Sequence, residues 1–225
     1  MTAATGVPMF PLGTPLLPGN ALPLQIFEPR YRRMIEDCSA SARPGFGVVL
    51  IDRGSEVGGG DRRTSVGTWA RILRIDPLPD GRSMVLTVGT GRFRVDEWLV
   101  DDPYPRALVS AFPDQDFAGG ESSGSDGSVV DVAALDLGDG LGLAADRVRT
   151  LLRRAGREES DVDEWEALRD RVDASTSLYQ LVARTPCGPA DRQSLLECPG
   201  LRERLERFHE VLDDLDAVSR FLEAD

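Results

Sequence analysis

The sequence contains no lysine; its 26 basic residues are all arginine. That absence removes the phosphate-binding lysine of a P-loop, any Ser–Lys dyad and any Schiff-base chemistry. There is one histidine, His209, and there are three cysteines, Cys38, Cys187 and Cys198, with no C-x-x-C pairing. A lone histidine cannot build a His-rich metal site, and Cys187 and Cys198 lie outside tight zinc spacing. No metal and no cofactor are expected. No stretch approaches the roughly 20 apolar residues of a membrane span. The first residues, MTAATGVPMF, lack the charged start and long apolar run of a signal peptide. A soluble cytoplasmic protein with no membrane partner is the expectation.

What is present is a chain of 225 residues, 41% apolar, with a net charge of −12. That length suits one large domain or two small ones, at roughly 100–200 residues each. The charge is unevenly placed. Residues 1–112 carry 13 arginines against 12 acids, and residues 113–225 carry 13 against 26. The first half is near neutral and the second is strongly acidic. A nucleic-acid binder shows a basic stripe; none is visible, so no nucleic-acid partner is expected.

The first 112 residues are dense in strand signals: 7–12, 22–27, 46–51, 65–76, 83–89, 91–100 and 104–112. Turn chemistry separates them at Pro18-Gly19-Asn20, Arg53-Gly54, Gly58-Gly59-Gly60, Pro79-Asp80-Gly81 and Gly89-Thr90-Gly91. Asp80-Gly81 between two alternating runs signals a hairpin. Many short strands with one early helix suggest a small barrel or curled sheet. Residues 113–128, PDQDFAGGESSGSDGS, read as a flexible linker.

After the linker the periodicity becomes helical. Val148, Leu151, Leu152 and Ala155 mark one helix, Ser160 and Asp163 resemble the capping box of a second around Trp165 and Leu168, and Leu178, Leu181 and Val182 mark a third that Pro186 stops. Leu201, Leu205, Phe208, Leu212, Leu215 and Leu222 form a heptad-like stripe. An intramolecular helical bundle is the simpler reading of that stripe; a homodimer through the C-terminal helix stays open beside it.

The early helix follows the run LPLQIFEPRYRRMIEDC. Leu22, Leu24 and Ile26 alternate with Pro23 and Gln25, and a proline confines such a strand to an edge. Pro29 then sits at a first helical position, and Tyr31, Met34, Ile35 and Cys38 share one apolar face. On the wet side Glu28 and Arg32, and Arg33 and Asp37, are spaced as i,i+4 pairs, which leaves Arg30 without such a partner.

Candidate catalytic motifs weaken on inspection. Gly120-Glu121-Ser122-Ser123-Gly124 matches G-x-S-x-G, but that motif needs a strand before it and a helix after it. It lies instead in the Gly/Ser-rich linker. Gly89-Thr90-Gly91-Arg92 lacks the third glycine of a dinucleotide loop, and Gly58-Gly59-Gly60 leads to Asp-Arg-Arg; both read as turns or a strand bend. His209 reads as a helix-surface residue. No catalytic constellation emerges.

The segment FPLGTPLLPGNALPLQIFEPRYRRMIEDC resembles the start of the Lon protease N-terminal domain, the LON substrate-binding family. FGVVLI, VGTWARIL, DGRSMVLTVGTGRFRV and YPRALV follow in the family's order, as do LYQLVARTPCGPADRQSLLE and LRERLERFHEVLDDL. The resemblance implies an α+β chain: a PUA-like β-rich pseudo-barrel over residues 1–112, then a helical bundle over 129–225. It also implies a role in capturing protein substrates. Full-length Lon proteases carry an ATPase module and a Ser–Lys peptidase, and a chain without lysine contains neither. It looks like the stand-alone form of the domain, possessing neither activity.

On this reading Tyr31, Met34, Ile35 and Cys38 are core, and Arg92 and Phe93 hold a barrel bend. The candidate substrate-binding residues are Leu16, Leu17, Glu28, Arg30 and Arg33. Exposed aliphatic side chains beside arginines suit an extended peptide, and a solvated helix face is the plain alternative. The leading expectation is a non-enzymatic binder of unfolded or client polypeptides, an adaptor or regulator with a protease or chaperone partner. The alternative is a PUA-like reader of RNA or of a small ligand.

Overall fold

The computed structural model describes residues 6–53, 62–115, 132–157 and 160–223. The chain divides into two compact units, Met1–Phe112 and Pro113–Asp225. The G-x-S-x-G match, the Gly58-Gly59-Gly60 run and most of the expected linker lie outside the described residues.

The first unit contains strands β1 (Val7–Leu12), β2 (Ala21–Ile26), β3 (Gly45–Arg53), β4 (Arg62–Pro77), β5 (Ser83–Trp98) and β6 (Arg106–Ala111), with helix α1 (Pro29–Ser39) after β2. They form one mixed sheet in the order β2-β5-β4-β3-β1-β6, and a further β5–β6 pairing closes the pseudo-barrel. Strand β1 runs parallel to β3, and the remaining pairs are antiparallel. The β4–β5 hairpin turns at Asp80-Gly81, where Gly81 has φ 80° and the Asp80 carboxylate accepts from the Arg82 amide at 3.1 Å.

The sequence separates strands 83–89 and 91–100, whereas β5 runs through unbroken. Gly89-Thr90-Gly91 is a bulge: Thr68 pairs with Arg92 and Ala70 with Gly89, so two β5 residues face one of β4. The Thr90 hydroxyl donates to the Trp69 carbonyl at 3.2 Å across it. The bend lets the first half of β5 pair with β2 while its second half pairs with β6.

Helix α1 plugs one end of the barrel. Its buried face is Tyr31, Met34, Ile35 and Cys38, the four residues the 3.6-residue period marks. Tyr31 stacks on Phe10 with centroids 4.2 Å apart, and the Tyr104 hydroxyl donates to Asp37 at 2.9 Å. Gly67 permits a close strand crossing, since a Cβ there would lie 2.3 Å from the Val48 carbonyl oxygen.

The second unit contains α2 (Val132–Arg154), α3 (Ser160–Leu168), α4 (Ala174–Arg184), α5 (Pro189–Glu197) and α6 (Leu201–Glu223). Leu201, Leu205, Phe208 and Leu212 of the heptad-like stripe are buried within the unit, so the stripe packs intramolecularly along this length. Arg204 is a fully buried charged side chain in a core that is mostly aliphatic and aromatic, with Ser177, Thr185 and Gln193 also buried. Its guanidinium donates to both Asp114 oxygens, to Ser175 Oγ at 2.8 Å and to the Leu195 carbonyl at 3.2 Å, and lies 4.3 Å from the Tyr179 ring centroid. A charge removed from water needs this full set of partners. The pair fixes Asp114 onto the bundle, and the Gln115 amide donates to the Pro199 carbonyl at 3.0 Å.

His209 is half-buried rather than a free surface residue. Arg147 Nη1 lies 3.3 Å from its Nδ1, and an arginine only donates, so Nδ1 accepts and the proton sits on Nε2. Burial, then the Arg147 charge, lowers the His209 pKa from its ordinary 6.5, against an opposing pull from Asp213. A folded-state pKa below the unfolded one means that protonation favours the unfolded chain. The helical unit should therefore lose stability as pH falls below 6.5. The loss should be smaller in His209→Gln, as urea unfolding at pH values on either side will show.

Candidate functional site

At the end of β2 the barrel surface opens into a groove of about 210 Å³, lined by Phe10, Leu12, the run from Pro23 to Glu28, and Tyr31. Its position follows from the strand order. Among the described residues, strand β2 is hydrogen-bonded only to β5, and β1 meets β6 only at Val7 and Pro8. The free edge of β2 and the far half of β1 therefore share one opening, with α1 across its end.

The alternation of β2 decides what faces where. Leu24 is half-buried and Ile26 buried against the barrel core, while Pro23, Gln25 and Phe27 are exposed. Phe27 is 54% exposed, the largest apolar side chain of the groove to reach water. The parity of the leucines in the sequence already puts Phe27 on the outer face, a signal the candidate list does not use.

The expected site residues divide into three groups. Glu28 and Arg30 come together on the groove's rim, Arg30 Nε donating to the Glu28 carboxylate at 2.9 Å while its Cζ stands 4.5 Å from the Tyr31 ring centroid. This corrects the i,i+4 reading. Glu28 precedes the helix in an extended conformation, φ −67° and ψ 135°, so helical spacing does not govern its side chain. Arg32 meets Glu28 only through its backbone N–H, at 3.0 Å. Arg33 does pair with Asp37, at 3.2 Å, on the exposed face of α1.

Leu16 and Leu17 are the second correction: they are 5% and 3% exposed, not surface aliphatics. The β5 bulge makes room for them, since a Cβ at Gly89 would lie 2.6 Å from the Leu17 carbonyl oxygen and 3.2 Å from Leu16 Cγ. Leu16 packs in the core cluster with Phe10, Leu12, Ile26 and Tyr31, and neither leucine lines the groove. Arg92, expected to hold a bend, is buried and stacks at 4.3 Å on Phe112, which Arg94 flanks at 4.4 Å.

Two titratable groups at helix α1 are shifted away from deprotonation. Burial, aided by the neighbouring Asp37 charge, pushes the Cys38 thiol up to about 12, so it stays protonated at neutral pH. Burial and the hydrogen bond to Asp37 raise the Tyr104 hydroxyl to about 12 as well. Among the described residues no cluster of His, Cys, Asp or Glu could hold a metal ion, and no helix is long and apolar enough to cross a membrane. The groove thus combines apolar side chains with one ion pair, Glu28–Arg30, at its rim.

The first unit is thus a six-stranded mixed-sheet pseudo-barrel with this groove at its strand opening, and a helical unit follows it along the chain. The chain belongs to the family of the ATP-dependent protease La (LON) substrate-binding domain, which matches residues 6–214. It is 30% identical over 213 residues to Lon protease 2 of Sorangium cellulosum, covering 90% of this chain and 24% of that protein. Over 104 residues it is 33% identical to the Lon protease of Flavobacterium johnsoniae, covering 46% of this chain and 13% of that one. The chain thus spans a quarter or less of the length of these relatives. Among solved structures it resembles the Lon N-terminal domain protein from Xanthomonas campestris, with a TM-score of 0.61 and 26% identity over 92% of this chain and 98% of that one. The N-terminal domain of the Mycobacterium avium complex Lon protease shares the fold, with a TM-score of 0.58 and 19% identity over 93% and 99% of the two chains.

Burial of Leu16 and Leu17 carries a consequence for stability. Replacing both with serine should destabilise the barrel unit by about 2–5 kcal/mol for each lost leucine. Urea unfolding of the double variant checks this, and a wild-type midpoint would mean that the pair does not support the barrel.

Proposed function

We propose that this chain is a non-enzymatic module that captures unfolded or exposed polypeptide segments, as an adaptor or regulator in cytoplasmic protein quality control. Membership of a substrate-binding family supports the reading, and so does the near-neutral charge of the barrel half. The observation that carries it is Phe27, an aromatic 54% exposed on the lip of an apolar groove. A large ring left in water beside an apolar depression gains free energy when an apolar segment covers both. Glu28 and Arg30 bound the site, with exposed Arg33 on the same helix. The acidic helical half serves as scaffold or as the surface for a protease or chaperone partner, and it disfavours acidic clients.

A shallow groove supports weak binding, roughly micromolar to millimolar. Fluorescence anisotropy with one labelled protein in its native and its chemically unfolded form tests the reading. The unfolded form should bind in that range and the native form should not. Equal binding of both forms, or of neither, would overturn it.

A further inference from the structure

We infer that the groove takes an extended, uncharged apolar segment as an added β-strand along the free edge of β2; this deepens the polypeptide-capture reading and rests on it. The backbone of β2 fixes which groups are on offer. The Leu22 carbonyl accepts from Thr87 Oγ1 at 3.0 Å and the Asn20 carbonyl from the Gly89 amide at 3.0 Å, so even-numbered residues turn their polar backbone toward β5. In a strand the N–H and C=O of one residue point the same way, and successive residues alternate. Ala21, Pro23 and Gln25 therefore present theirs to the open side. The described backbone bonds give Pro23 and Gln25 no partner there.

An unpaired edge is a template for another chain. Here the template is partial. Pro23 has no N–H, so at the groove the edge offers the Pro23 and Gln25 carbonyls and a single donor, the Gln25 N–H. An incoming strand gives two N–H groups and accepts one; one set of alternate side chains drops against Phe10 and Leu12, and the other lies on the outer face with Phe27. Charge complementarity selects the occupant. The groove's only charged lining group, Glu28, is neutralised by Arg30 at 2.9 Å, so a charged segment would be desolvated there without a partner. A second copy of this chain is disfavoured, because it brings a second proline to the same edge.

The test uses the full chain, the unfolded labelled protein and a short labelled peptide of alternating valine and threonine. Gln25→Pro removes the one donor and Gln25→Ala keeps it. The Gln25 side chain is exposed, so both variants should fold with the wild-type thermal midpoint. Gln25→Pro should bind the peptide and the unfolded protein roughly fivefold more weakly, the worth of one backbone hydrogen bond, and Gln25→Ala should stay within about twofold. Should Gln25→Pro fail to fold, wild type carries the test with peptides N-methylated at alternate positions. One parity should lose binding and the other keep it. Equal binding by Gln25→Pro, equal loss in Gln25→Ala, indifference to N-methyl parity, or a dimer of wild type that Gln25→Pro dissolves would each overturn strand addition. Where unfolded protein still binds wild type in those cases, capture stands and only its mode falls. Where wild type binds no unfolded protein, capture itself falls.

Discussion

One strand, β5, is hydrogen-bonded to three others, and the bulge at Gly89-Thr90-Gly91 makes that possible. Without the extra residue, a straight β5 could pair with β2 or curl round to β6, but not both. The bulge turns the strand partway along its 16 residues, so its first half extends the hairpin and its second half closes the barrel. Gly89 has a second duty there, because the backbone of Leu17 approaches where a side chain would stand.

The groove is a by-product of that division of labour. Closing the barrel through β5 and β6 leaves β2 outside the closed ring, attached by one edge, with Pro23 on the other. Proline in an edge strand is a common guard against unwanted pairing. Here the guard is incomplete, since the Gln25 N–H stays open beside an exposed phenylalanine. The Glu28–Arg30 pair stands at the point where strand becomes helix, which keeps charge at the groove's end rather than in its floor.

Much of this was legible in the sequence wherever a short-range period governs. The α1 core face, the β4–β5 turn at Asp80-Gly81, the halt of α4 before Pro186 and the neutral–acidic split all rest on local patterns. The site was harder to read. Leu16 and Leu17 sit in a Pro- and Gly-rich stretch that looks like a surface loop, and they are buried by a bulge some seventy positions along the chain, a contact no local period encodes. Helical spacing pairs Glu28 with Arg32, yet Glu28 lies one residue before the helix, where a different geometry applies. Gly89-Thr90-Gly91 has turn composition, but its neighbours on β4 hold it inside a strand. Phe27 was legible by parity alone, because the rule that sends Ile26 inward sends Phe27 out.

The helical unit answers to a different constraint. Among its 26 acids, Asp213 and Asp216 pair with Arg147, Asp163 and Glu166 with Arg149, and buried Asp114 with Arg204, while the unit keeps a large acidic excess. On the proposed reading, client contact falls to the groove of the near-neutral barrel half. Site-specific photocrosslinking tests the groove as the contact site most directly, with a benzophenone side chain placed at Phe27 in one variant and at Val100, an 80% exposed position of the same unit away from the groove lining, in another. The account predicts crosslinks to an unfolded polypeptide from position 27 and few from position 100. Equal yields from the two positions, or a higher yield from position 100, would contradict it.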